Sequence, residues 1–83
     1  MEILDFWAEW CGPCQIMKPT MEEFEKAHPD IKITKVNIDE QDELAEQYGV
    51  SSIPCLVLLK DGQEVKRHVG VMPLKKLEKF AEV

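Results

Sequence analysis

Residues 6–14 read FWAEWCGPC (Phe6 to Cys14), with only Gly12 and Pro13 between the two cysteines. Such a pair can ligate a metal, close a disulfide or carry thiol chemistry, and its surroundings decide which. Upstream, Ile3, Leu4, Phe6 and Trp7 are apolar on both alternating faces, as a strand buried on two sides requires; Asp5 interrupts them. Downstream the period becomes helical: Ile16, Met17, Thr20, Met21, Phe24 and Ala27 fall on one side, with Glu22, Glu23, Glu25 and Lys26 opposite. The pair therefore stands where a strand ends and a helix begins. There the Cys11 sulfur can face the unpaired N–H groups and positive dipole end of the helix, which stabilise a thiolate. Cys14 follows one turn later, beneath it. Gly12 leaves room for a partner, and Pro13 is tolerated in a first helical turn.

The rest of the chain extends this pattern. Pro19 removes one backbone donor inside the first helix and predicts a kink there rather than a stop, and His28, Pro29 and Asp30 end the helix. Residues 31–38, with β-branched Ile, Thr and Val, read as a second strand, closing a right-handed βαβ unit with parallel strands. Asp39 is expected to cap a second helix running through Gln47, with Leu44, Ala45 and Tyr48 inward and Gly49 as its stop. Cys55 to Leu59 is a continuous apolar run, Asp61-Gly62 a hairpin turn, and Glu64 to Val69 the returning strand. The charges Glu64, Lys66, Arg67 and His68 suit a sheet edge. Pro73 opens a last helix with Leu74, Leu77, Phe80 and Ala81 on one face. The expected fold is α/β, ordered βαβαββα, a four-stranded mixed sheet flanked by three helices, in one domain over residues 1–83.

Composition narrows the function. Sixteen acids against ten bases give a formal charge of −6, so phosphate-rich or anionic-bilayer partners are disfavoured. No apolar run has membrane-spanning length and no signal-peptide pattern precedes Ile3, which makes the cytoplasm the expected location. Three cysteines cannot all pair within one chain, and a Cys11–Cys14 bridge closes too short a loop to staple a fold. A closed zinc site needs two further ligands, for which only Cys55, His28 and His68 are at hand, with no second pair. No metal is expected; thiol–disulfide exchange is.

LDFWAEWCGPC (residues 4–14), KVNID (35–39), YGVSSIPCLVLLKDG (48–62) and VGV (69–71), taken in order, resemble the thioredoxin family from about Ile3 to the end of the chain. The fold this implies is thioredoxin-like, of glutaredoxin size. Thioredoxins are themselves the reference case for a Cys-x-x-Cys thiol lowered from about 8.5 to roughly 7. The resemblance implies that Cys11 attacks a client disulfide, Cys14 resolves the mixed disulfide, and Pro54 is a cis proline facing them. It implies a shallow client groove of Trp10, Gly12, Pro13, Ile53, Pro54 and the turn Val69, Gly70 and Val71. For Gly70 a strand terminator is an equal reading, and for Trp10 a core aromatic. Asp5, a carboxylate amid apolar neighbours, has an expected pKa rise; the resemblance makes it the proton acceptor for Cys14, with Lys35 tuning it.

The function implied is a thiol–disulfide oxidoreductase that reduces protein disulfides, a thioredoxin-type electron carrier. The alternatives are a glutathione-linked, glutaredoxin-like reductase and a non-catalytic docking module. Client proteins and a flavin-dependent thioredoxin reductase are the partners implied, for a monomer with no bound cofactor beyond a redox-active Cys11–Cys14 disulfide. Two departures stand out. The strand and helix that usually precede the segment at Ile3 are missing, which reads as a natural miniature and makes residues 31–38, with Lys32 and Lys35, a sheet edge. Cys55 replaces the usual Thr; it could exchange disulfides, be modified or ligate a metal, and a small buried core residue is the favoured reading.

Overall fold

The structure, a computed structural model, describes residues 1–83. Its elements are β1 (Glu2–Trp7), α1 (Gly12–Ala27), β2 (Lys32–Asn37), α2 (Asp42–Gln47), β3 (Cys55–Lys60), β4 (Gln63–Val69) and α3 (Leu74–Phe80). The sheet order is β2-β1-β3-β4, with β1 parallel to β2 and antiparallel to β3, and β3 antiparallel to β4. This is the expected βαβαββα mixed sheet. The two interior strands are the two most apolar runs, Ile3 to Trp7 of β1 broken only by Asp5 and β3 continuous from Cys55 to Leu59, and the two edges carry the charges that resist pairing with another chain. On the β4 edge, Arg67 donates to the Glu64 carboxylate and to the Tyr48 carbonyl at 2.7 Å, tying β4 to the end of α2.

Strand alternation divides the core in two. On one face Ile3, Leu56 and Leu58 pack with Met17, Met21 and Phe24 of α1 and Leu77 of α3. On the other, Leu4, Phe6, Val57 and Leu59 pack with Ala45 of α2, with Leu44, Tyr48 and Val50 partly buried beside them. α1 runs through Pro19 as one element. At its end the His28 ring packs on Phe24, centroids 4.9 Å apart, and its Nε2 lies 2.7 Å from Glu78 Oε2 of α3. The two helices on that face are thus joined by a polar contact as well as by apolar packing.

Asp39 does not cap α2, which begins at Asp42 after the N-cap Gln41. Asn37 is the reason. Its Oδ1 accepts the Asp39 N–H at 2.9 Å and its carbonyl accepts the N–H groups of Glu40 and Gln41, so a turn delays the helix by two residues. The helix ends as expected at Gly49: the Val50 N–H reaches the Ala45 carbonyl and the Gly49 N–H the Glu46 carbonyl, a Schellman closure. Pro73 is likewise the N-cap of α3 rather than its first helical residue.

Between β3 and β4, Asp61 and Gly62 have φ of 52° and 78°, the two left-handed residues of a type I′ turn. A side chain with a Cβ is strained there even though space is open around Gly62. Gly62→Ala is expected to cost about 1 kcal/mol, seen as a lower midpoint in denaturant unfolding with an unchanged slope. An unmoved midpoint would count against the turn as a determinant of stability.

Candidate active site

Cys11 is the N-cap of α1, with extended backbone (φ −90°, ψ 108°), and its sulfur accepts the Cys14 N–H at 3.2 Å. A side-chain acceptor at an N-cap satisfies one of the orphan donors of the first turn; here the acceptor is sulfur. Cys11 and Cys14 form a disulfide, with Cα atoms 5.2 Å apart. Both are nearly buried, while Gly12 and Pro13 between them are exposed. Cys11 Sγ lies 3.8 Å from the Ile53 carbonyl oxygen, and the Ile53–Pro54 peptide bond is cis.

In front of the disulfide runs a groove lined by Trp10, Cys11, Gly12 and Pro13 on one side and by Ile38, Val50, Ser51, Ser52 and Ile53 on the other. Trp10 is 67% exposed, so it is a groove wall and not a core aromatic. Its indole Nε1–H donates to Asp39 Oδ2 at 2.8 Å, which occupies the side chain expected to cap α2.

Behind the disulfide is a separate cavity of about 170 Å³, lined by Asp5, Trp7, Cys14, Gln15, Lys18, Met21 and Lys35. Asp5 is only 7% exposed and sits opposite Lys35 in the β1–β2 register. Burial pushes its carboxyl up to about 6; the Lys35 ammonium lowers it and the Glu25 carboxylate raises it. Cys14 thus joins the disulfide behind the groove to a cavity whose buried carboxyl is pushed up to about 6.

A family model described as Thioredoxin matches residues 1–83. The chain belongs to the thioredoxin family. It is 48% identical over 77 residues to a thioredoxin of Alicyclobacillus acidocaldarius, covering 92% of this chain and 73% of that one. It is 46% identical over 79 residues to a thioredoxin of Bacillus subtilis, covering 94% and 76%. Among solved structures, oxidised mitochondrial thioredoxin 3 of Saccharomyces cerevisiae superposes with a TM-score of 0.90 at 37% identity, covering 98% of this chain and 76% of that one. Another, reported for thiol resolution in yeast mitochondrial 1-Cys peroxiredoxin via glutathione/thioredoxin systems, gives 0.91 at 36%, with 98% and 76% covered. Family and fold together make the chain a thiol–disulfide oxidoreductase.

Among the residues singled out from the sequence, the structure gathers Trp10, Cys11, Gly12, Pro13 and Ile53 in the groove, and Cys14, Asp5 and Lys35 around the cavity. Val69, Gly70 and Val71 lie alongside rather than in the same hollow: Val69 pairs with Cys55, and the Gly70 N–H donates to the Pro54 carbonyl at 2.9 Å. Gly70 has φ 106° with nothing within 4 Å of a Cβ, so backbone conformation, not crowding by this chain, calls for glycine. Ile38, Val50, Ser51 and Ser52 were missed, although Ile38 follows the carboxyl end of a parallel strand, where α/β sheets place their ligands. The cavity residues Trp7, Gln15, Lys18 and Met21 were missed too. Cys55 is 1% exposed, packed among Leu4, Phe6 and Val57, and lines neither hollow. Burial pushes its thiol up, Arg67 pulls it down, and Glu64 and Asp5 add to the rise. His28 is engaged by Glu78, and His68 meets the Phe80 ring edge-on at 6.5 Å.

Proposed function

We propose that residues 1–83 work as one unit, a protein-disulfide reductase and electron carrier whose redox centre is Cys11-Gly12-Pro13-Cys14. The observation that carries the reading is the Cys11 sulfur at the N-terminus of α1, accepting the Cys14 N–H. In the reduced protein the Cys11 thiolate attacks one sulfur of a client disulfide; the other leaves as a thiolate and takes a proton from water. A mixed disulfide now joins Cys11 to the client. Cys14 gives its proton to the ionised Asp5 and attacks Cys11 Sγ, expelling the client's second thiolate, which is protonated in turn. Two electrons have passed to the client, and the Cys11–Cys14 bond of the structure has formed. Asp5 is a general base matched to its task when its pKa lies near the working pH, and Lys35 steadies the carboxylate it becomes.

The groove supports the client assignment. An extended segment beside the client's disulfide can lie between Trp10 and the 50–53 loop, with Pro54, Val69, Gly70 and Val71 continuing the wall. Electrons return from a flavin-dependent thioredoxin reductase, in a reducing compartment such as the cytoplasm that keeps the pair as dithiol. The neighbour described for peroxiredoxin resolution supports clients whose own cysteines become oxidised.

Cys14→Ser tests the division of labour between the sulfurs. Mixed with an insulin disulfide, the reduced variant is expected to accumulate a covalent adduct through Cys11, mapped by mass spectrometry and released by dithiothreitol. An adduct through Cys55, or none, would overturn the assignment. Parent turnover with NADPH and thioredoxin reductase is expected to exceed turnover with glutathione; the reverse order would make the chain glutaredoxin-like in its electron supply.

A further inference from the structure

Glu25 lines neither the groove nor the cavity, yet it meets Lys35, one of the two cations that line the cavity. Its Oε1 lies 3.4 Å from Lys35 Nζ, an ion pair reaching from α1 across to the edge strand β2. Both partners are half-exposed, so the pair sits between the Asp5 cavity and water. Charged and titratable groups face Asp5 from two elements, Cys14, Lys18 and Glu25 from α1 and Lys35 from β2, while Cys55 of β3 lies on the other face of the sheet.

Proton transfer needs these charges in balance. An ammonium beside a buried carboxyl favours the ionised form, and a carboxylate beside that ammonium offsets it. Lys35 unopposed would hold Asp5 ionised, too weak a base to take the proton of Cys14. With no cation at all, a buried carboxyl would keep its own proton and have no site free to accept another. The cavity places Asp5 between these limits by pairing its cation with a third residue.

We propose that Glu25 is a positioning residue for this proton transfer, holding the Lys35 ammonium at the cavity mouth and offsetting its charge so that Asp5 exchanges a proton with Cys14 near neutral pH. The inference rests on the reading of Asp5 as the proton acceptor. Glu25 acts through Lys35 and touches no reacting atom.

The test follows the Asp5 carboxyl by carbon-13 NMR titration of the oxidised protein, alongside the pH profile of mixed-disulfide resolution in single turnover. Glu25→Gln is expected to lower the Asp5 midpoint by roughly half a pH unit, the size expected of charges interacting through a partly solvated gap. Lys35→Met should raise it, and Glu25→Asp, which keeps the charge, should stay near the parent. Added to Lys35→Met, Glu25→Gln should shift the midpoint by less than half as much as it does alone. An unmoved midpoint in Glu25→Gln overturns the proposal, as do equal shifts in the two backgrounds; a purely structural residue would lower the melting temperature and leave the midpoint alone. If Asp5→Asn leaves the resolution profile unchanged, the proton-acceptor reading fails and takes this one with it. If Asp5→Asn flattens the profile while Glu25→Gln does nothing, only the role of Glu25 is lost.

Discussion

Cys11→Ser is expected to cut insulin-disulfide turnover by a factor on the order of 10³ or more, to the background rate of the electron donor alone. A serine hydroxyl is a far weaker nucleophile at neutral pH, and helix-terminal stabilisation cannot close that gap. No other sulfur can substitute. Cys14 lies one turn down the helix and lines the Asp5 cavity, not the groove that Cys11 lines, and Cys55 is sealed at 1% between β1 and α2. Because oxygen for sulfur changes little in shape, circular dichroism should match the parent, separating lost chemistry from lost structure. A residual rate within tenfold of the parent would mean that another thiol begins the exchange.

Asp5→Asn is expected to make the oxidised protein more stable at pH 7 to 8 by about 3 kcal/mol. The sign follows from burial. In the unfolded chain the carboxyl ionises at 3.8; in the fold it is held up to about 6, so the folded state binds its proton more tightly and loses that advantage as pH rises. Below pH 3.8 the contribution is intact; it falls between 3.8 and 6 and is gone above. Asparagine carries no charge to desolvate, so its benefit should emerge over that same interval and level off near pH 7. Urea unfolding of both proteins at pH 4, 5, 6 and 7.5 reads this directly, and a difference independent of pH would remove charge burial as the cause. The expected gain in stability comes with the expected loss of the resolution step's pH profile, and the two measurements together test whether the proposed proton transfer is what this buried charge serves.

Much of this was legible in the sequence because it rests on neighbours along the chain. The period change at Gly12 places the cysteines at a helix start, the apolar runs Ile3–Trp7 and Cys55–Leu59 become the interior strands, and Asp61-Gly62 makes the turn. Asp39 shows where this stops working. Locally it is a good helix cap, but Trp10, twenty-nine residues away, takes its carboxylate, and Asn37 makes the turn instead. The far wall of the groove and the polar floor of the cavity are also long-range products. Glu25 reads as an ordinary residue of a solvated helix face until the fold brings Lys35 of β2 to it.

The groove in front of the disulfide draws its two walls from elements packed on opposite faces of the sheet. Gly12 and Pro13 ride on the helix that Met17, Met21 and Phe24 seat on the first layer, whereas Val50 and Ile53 lean on the second, beneath α2. A change of packing on either side therefore tilts one wall against the other without reaching a sulfur atom. On the proposed reading of the groove, client preference is expected to respond to substitutions deep in either layer, at positions no client meets.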